Sequence, residues 1–309
     1  MIGIVTQPYA PESGEVELGG GTSGFVEGDF TGKPYVAASY VKFVEAAGAL
    51  PAVVPHNATG QELHILLGRL NGVIFPGGGA SLSPGHPYHD IGRQVLRYAV
   101  EANDRGDAFP VQFTCLGFEL IMQLVAGDGA DIFVDTDAMN WPSSLTLTSA
   151  GLGGKFFGAD DAWGNGCGGP EIARLLAAKP LAMNSHHKGV SPGTFAKSSN
   201  LSSFFTVVAT DVDRNGVPYV AMVEAKKYPF LATQFHPEKN AYEWAGDTPH
   251  TLDAVRVTAH FAQVLGREVR RSQHTFPDNE ALNAALIYNE SPLFMAKYGG
   301  YFEQAYFMH

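Results

Sequence analysis

The 309-residue sequence predicts an α/β fold, a three-layer α/β/α arrangement around a mostly parallel, doubly wound central sheet. Two observations carry this. Short β-branched apolar runs alternate with amphipathic helical spacing through the first 127 residues, the pattern of strands joined by crossover helices. A long amphipathic stretch, 251–272, then supplies a helix to pack back on that sheet.

"IGIVTQP" (2–8) reads as a first buried strand ended by Pro8. The Gly-, Ser- and acid-rich segment 11–34 reads as a long loop. "YVAASYVKFVEAAGA" (35–49) has helical spacing, with Val36, Tyr40, Val44 and Ala47 on one stripe and Gly48 as a stop. A strand "LPAVVP" and a helix "GQELHILLGRLNG" follow, then "VIFPGGG" (73–79), a strand breaking into three glycines. "GHPYHD" reads as a polar loop, "DIGRQVLRYAVEANDRG" as a helix, "PVQFT" as a strand, and "GFELIMQLVAG" as the helix after Cys115. From about 130 to 225 the pattern loosens into antiparallel strands with a hairpin at "RNG". "WPSSLTLT" and "WGNGCGGPE" read as loops over the site. "FLATQF" (230–235) is an apolar strand running into His236-Pro237-Glu238, and the aromatic tail from about 275 is expected to wrap the domain. With no repeat, linker or low-complexity segment, one domain over 1–309 is expected.

The net charge of −11 excludes bulk-charge binding to nucleic acid or to an anionic membrane surface, and no apolar run reaches the ~20 residues that span a bilayer. The start "MIGIVTQPY" reads as lacking a signal peptide. Two cysteines form at most one disulfide, and three short sequons only weakly favour a secretory route. His86 with His89 and His186 with His187 are spaced for metal ligation, but no third ligand is evident, so neither metal nor cofactor is expected.

Chemistry concentrates at three places. Cys115 lies where a strand turns into a helix, whose N-terminal N–H groups and dipole favour a thiolate, and Gly117 leaves room for the tight turn. Alone, Cys115 reads first as an inert core thiol; His236 and Glu238 shift the reading to a nucleophile. His236 and Glu238, two apart on an extended chain, would share a face, giving a base and the carboxylate that orients it. The turn "PGGG" exposes backbone N–H groups to an oxyanion, with Leu116 and Gly78 as the two donors; it lacks the spacing of a phosphate loop.

The motifs "NGVIFPGGG", "FPVQFTCLGFE", "HKGVS", "YPFLATQFHPEKNAYEW" and "ALIYNESPLF", with the helix at 35–49, resemble the gamma-glutamyl hydrolase family of the class I glutamine amidotransferase-like superfamily, with its flavodoxin-like layers. The resemblance runs from near residue 35 to near 294. It implies a cysteine peptidase that cleaves folylpoly-γ-glutamates through a thioester, with Cys115 as nucleophile, His236 as base and Glu238 as its partner. It further implies that Tyr40 lines the site near the oxyanion and that Glu119, His187 and Gly77 meet the substrate. His186 does not match the family histidine and reads as a solvent-exposed neighbour. Glu119 replaces the Gln that amidotransferases of this class carry four residues after the cysteine, and a carboxylate there suits a cation such as a free α-ammonium. The resemblance implies a small-molecule substrate, and it implies a vacuolar, lysosomal or secreted location, with the cytoplasm left open by the N-terminal segment. Family members are often dimers, so a homodimer is one implied assembly, although no dimer seam is legible. A γ-glutamyl peptidase acting on glutathione-like conjugates, a glutaminase and a non-enzymatic binding protein are the alternatives. Cys167, with no base paired to it by pattern, reads as incidental.

Overall fold

Every second residue of the central strands faces a different core. Ile2 and Ile4 of β1 (Ile2–Val5) enter one apolar cluster, and Val5 enters another. The computed structural model describes residues 1–10, 30–158, 168–295 and 302–308. Most of the loop expected over 11–34, the segment 163–167 with Cys167, and part of the aromatic tail lie outside the described residues.

In chain order, β2 (Gln7–Pro8) follows β1, and β3 (Pro34–Ala37) leads into α1 (Ala38–Ala46). Then come β4 (Pro51–Val54), α2 (Gly60–Leu67), β5 (Val73–Phe75), α3 (Pro87–Asp104), β6 (Val111–Thr114) and α4 (Leu116–Ala126). The middle of the chain gives β7 (Phe133–Ser143), β8 (Thr146–Leu147), α5 (Ser149–Leu152), α6 (Gly169–Ala178), β9 (Ala182–Val190), α7 (Pro192–Lys197) and α8 (Ser199–Phe204). A hairpin of β10 (Phe205–Val212) and β11 (Pro218–Ala225) precedes β12 (Phe230–Thr233), and α9 (Lys239–Tyr242), α10 (Leu252–Val269), α11 (Asn279–Ala285), β13 (Leu293–Phe294) and β14 (Gln304–Phe307) complete the chain.

The main sheet has eight strands in the order β4-β1-β5-β6-β12-β11-β10-β8. The first five pair in parallel and the last three antiparallel, so the sheet is the mostly parallel one that the alternation predicts. On one face α1, α6 and α10 pack over Ile2, Ile4, Ile74 and Leu231; on the other, α2, α3 and α4 cover Val5, Val73, Phe75, Phe113 and Phe230. Two dry cores either side of one sheet make the three layers. The "RNG" hairpin forms as expected, with Gly216 N–H donating to Asp213 O.

Several expectations are corrected. Residues 35–37 are strand, not helix, because β3 pairs with β14 and β2 in a second, four-stranded sheet. The helix expected from Asp90 begins at Pro87, so the last four residues of "GHPYHD" are its first turn, with His89 fully buried. "WPSSLTLT" is mostly strand, divided between β7 and the edge strand β8. The long antiparallel pair β7–β9, which the sequence did not signal, forms a separate two-stranded sheet.

Candidate active site

The C-terminal ends of β5, β6 and β12 meet at one crevice, where ligands of open α/β sheets bind. Cys115 follows β6 directly. Its N–H donates to Thr233 O at 2.8 Å, extending the ladder to β12 by one bond, and then the chain reverses into α4. The reversal puts Cys115 at φ 53°, ψ −105°, a conformation that costs a non-glycine residue about 1–3 kcal/mol and persists only where its surroundings dictate it. Gly117 allows the turn: a Cβ there would stand 2.3 Å from Phe75 O. The Leu116 N–H, first of the helix, lies beside the Cys115 sulfur and favours its thiolate. The thiol itself donates to Ser185 O at 3.6 Å. Burial pushes the thiol pKa well up, Glu119 and Glu238 add to that, and Lys239 and the Leu116 N–H oppose it. The resting group is therefore a thiol, which needs a base.

His236 lies across Gly77 from that thiol. It is buried, its N–H donates to Met183 O at 2.8 Å, and its Nδ1 donates to Glu238 Oε1 at 2.7 Å. Nε2 finds no partner among the described residues. Burial lowers the imidazole pKa against the opposing pull of Glu238, so at neutral pH the ring is uncharged and Nε2 offers a lone pair. The pairing expected of His236 and Glu238 exists, but not through an extended strand. β12 ends at Thr233 and Glu238 has helical dihedrals, φ −76°, ψ −23°, so a turn brings the carboxylate back to the ring, held by Thr258 Oγ1 donating to Pro237 O at 2.7 Å.

The glycine turn closes the site. A Cβ on Gly77 would fall 2.5 Å from His236 Cε1 and 3.1 Å from Cys115 Cβ, so both groups flank it. Gly77 N–H is already engaged: it donates to Tyr40 Oη at 2.7 Å. That oxygen lies 3.4 Å from His236 Nδ1, and burial together with Glu238 and Cys115 keeps the phenol protonated. Tyr40 thus stands behind the histidine and links it to the turn. The N–H groups of Gly78 and Leu116 make no hydrogen bond to oxygen or nitrogen among the described residues.

Glu119 sits one turn into α4, buried, with Oε1 accepting from Gln234 Nε2 at 3.1 Å; burial raises its pKa to about 7 against the pull of Gln234 and Lys188. His187 is exposed on β9, two residues beyond Ser185 and so on the same strand face. His186 is not the exposed neighbour expected: it is buried, within reach of Thr136 Oγ1 (3.1 Å), Asn184 Oδ1 (3.2 Å) and Lys188 O (2.8 Å), and burial drops its pKa to about 3. Strand alternation puts it on the face opposite Ser185 and His187, the inner one. Lys239, in the sequence next to Glu238, was missed; it is buried, and its charge reaches the thiol. Ser185 and Gln234 were missed too, since a lone Ser or Gln carries no spacing signal. No cluster of three or more His, Cys, Asp or Glu that could hold a metal occurs among the described residues, and no described helix is long and apolar enough to cross a membrane.

Residues 27–133, which include the glycine turn and Cys115, match the family model described as Peptidase C26. The chain is 36% identical over 99% of its length to gamma-glutamyl hydrolase 1 of Arabidopsis thaliana, covering 82% of that protein. Identity is 33% to gamma-glutamyl hydrolase B of Dictyostelium discoideum, over 96% of this chain and 80% of that one. It is 32% to the gamma-glutamyl hydrolase of Homo sapiens, over 89% of this chain and 83% of that one.

Proposed function

The chain belongs to the gamma-glutamyl hydrolases, a cysteine peptidase family, and from that membership we propose that it cleaves folylpoly-γ-glutamates through a thioester on Cys115. One observation carries the residue assignment: Gly77 is flanked by both Cys115 and His236, and His236 presents an unpartnered Nε2 while Glu238 holds its other nitrogen.

Nε2 takes the thiol proton as sulfur adds to the γ-carbonyl carbon, and the carbonyl electron pair moves to oxygen. Leu116 and Gly78 N–H groups receive that oxyanion, which is stabilised most by donors already in place. Collapse re-forms the carbonyl and expels the amine, which leaves with the proton from His236. Water, deprotonated by the same nitrogen, then opens the thioester and returns the proton to sulfur. Glu238 holds the imidazole in the tautomer that both halves require. In this reading Tyr40 fixes the histidine rather than bonding the oxyanion, and Gly77 provides clearance for the substrate between the two reacting groups.

Glu119 and His187 are assigned to the substrate. In a γ-linked folate chain every glutamate α-nitrogen is acylated, so a free α-ammonium is not what Glu119 meets there. A carboxyl with a pKa near 7 suits an amide N–H, and it meets an ammonium only in free glutamine or a glutathione-type conjugate. His187, exposed on β9, is assigned to the α-carboxylate of a glutamate by the family resemblance. Family resemblance alone supports a homodimer, a single-domain organisation and a vacuolar, lysosomal or secreted location for this reading.

The test is mass spectrometry of a pteroyl-penta-γ-glutamate digest, run beside glutamine and glutathione conjugates. Shortened pteroylglutamates from the native enzyme and none from Cys115→Ala are expected. Consumption of glutathione conjugates or glutamine alone would retain the thioester and overturn the substrate; turnover by Cys115→Ala would overturn the mechanism.

A further inference from the structure

Gln7, on β2, is 1% exposed, and its carboxamide makes three hydrogen bonds to the glycine turn. Nε2 donates to Pro76 O and to Gly77 O, both at 3.1 Å, and Oε1 accepts from Ala80 N–H at 3.3 Å. Tyr88 Oη donates to the same Pro76 O at 2.9 Å. One carboxamide therefore spans the glycine turn from its entry at Pro76 to its exit at Ala80.

The consequence follows from peptide geometry. A trans peptide is planar, so its C=O and the N–H of the next residue point in opposite directions, and the chain has no cis bond among the described residues. Gln7 and Tyr88 hold the Pro76 carbonyl, which fixes the Gly77 N–H on the opposite side, where it meets Tyr40 Oη at 2.7 Å. Gln7 also holds the Gly77 carbonyl, which fixes the Gly78 N–H pointing away from Gln7. That N–H has no acceptor among the described residues. Rotation of the Gly77–Gly78 peptide by half a turn would aim the carbonyl where the N–H now points, and would replace a donor to an oxyanion with a repelling acceptor. Glycines resist such a rotation weakly, since they have no side chain to bar it. The barrier has to come from outside the turn, and a Cβ on Gly78 would stand 2.1 Å from Gln7 Oε1, so the two are in direct contact.

We propose that Gln7 is a positioning residue for the hydrolysis: its carboxamide locks the Gly77–Gly78 peptide so that the Gly78 N–H stays turned to the developing oxyanion. This rests on the assignment of that N–H to the oxyanion under the proposed function. The effect falls on the transition state and not on ground-state binding, because the donor matters only once charge develops on oxygen.

The test uses the full chain with Gln7→Met and Gln7→Glu. Removing one oxyanion donor costs about 100- to 1,000-fold in kcat, and an unlocked donor still samples its working orientation, so Gln7→Met should lose about 10- to 100-fold in kcat with KM nearly unchanged. Affinity for a γ-glutamyl aldehyde, which adds the Cys115 thiol and places its oxygen in the same hole, should fall in parallel, while alkylation of Cys115 by iodoacetamide should not slow. Gln7→Glu keeps the shape, and its carboxyl can donate, through its single O–H, to one of the two carbonyls only when protonated. Its rate relative to the native enzyme should therefore rise as pH falls, and it serves if the methionine variant does not fold. Native kcat in Gln7→Met, or a loss of kcat with aldehyde affinity unchanged, would overturn the proposal. Turnover by Cys115→Ala would instead overturn the mechanism on which it rests.

Discussion

Glu119 is a carboxyl that the fold makes expensive to ionise, and two consequences can be measured. With a native pKa near 7 against an ordinary value near 4.5, the folded chain binds more protons than the unfolded one between those pH values. Stability contributed by the neutral form is thus fully present below about pH 4.5 and is lost as pH rises through about 7, by about 3 kcal/mol in all. Glu119→Gln should remove that loss, seen as a smaller difference between urea unfolding at pH 5 and pH 8; the same difference as in the native chain would refute the assignment. The substrate consequence is separate. A bond from a carboxylate to an ammonium is worth about 1.5–3 kcal/mol, so Glu119→Gln should lose about 10- to 100-fold in kcat/KM on a free γ-glutamyl amine and far less on an α-N-acylated one. Equal losses on the two substrates would show that Glu119 does not touch the α-nitrogen.

At the scale of elements, the junction of β6 and α4 does most of the work. It holds Cys115 at positive φ, presents the Leu116 N–H to sulfur, and presses Gly117 against Phe75. Gly117→Ala would push backbone against backbone, since the obstructing atom is the Phe75 carbonyl oxygen at 2.3 Å. Overpacking of that kind costs about 1–3 kcal/mol, and moving α4 away from β5 should also lower kcat. Denaturant unfolding with parallel kinetics checks both, and an unchanged midpoint would mean that the helix can shift freely. This junction was legible from the sequence because Cys115, Gly117 and the helical run are local. The strand beside it was not: β9 brings the Ser185 carbonyl to Cys115, yet its sequence "AMNSHHKGV" alternates too weakly to announce a strand, and its pairing with β7 is interrupted by register shifts.

Across the whole molecule the C-terminal tail fastens back on the sheet. Leu286 bridges Ala52 of β4, Ile287 is fully buried in the core that holds α1 and α10, and β14 pairs with β3. Ile287→Ala should therefore cost about 2–5 kcal/mol, as other buried isoleucine truncations do, and should leave KM unchanged because the residue lies outside the crevice. A loss under about 0.5 kcal/mol, within the range of surface substitutions, would mean that the tail is not part of the cooperative unit. The aromatic composition of the tail hints at docking, but only the fold brings Gln304–Phe307 beside Pro34–Ala37 and turns the start of an expected helix into a strand.

The sequence by itself determined what depends on near neighbours: the alternating strands and helices, the cysteine at a strand-to-helix turn, the histidine two residues from its carboxylate, and the glycine turn after β5. Tertiary structure decided what depends on distance and environment. Which way His186 and His187 face, the turn that returns Glu238 to His236, the pKa of Glu119 and the grip of Gln7 on Pro76 and Gly77 all arise from atoms brought together by packing. Periodicity encodes which face of an element is buried, but a pKa shift or a clamped peptide requires partners far away in the chain, 70 residues for Gln7 and Gly77 and 115 for Glu119 and Gln234.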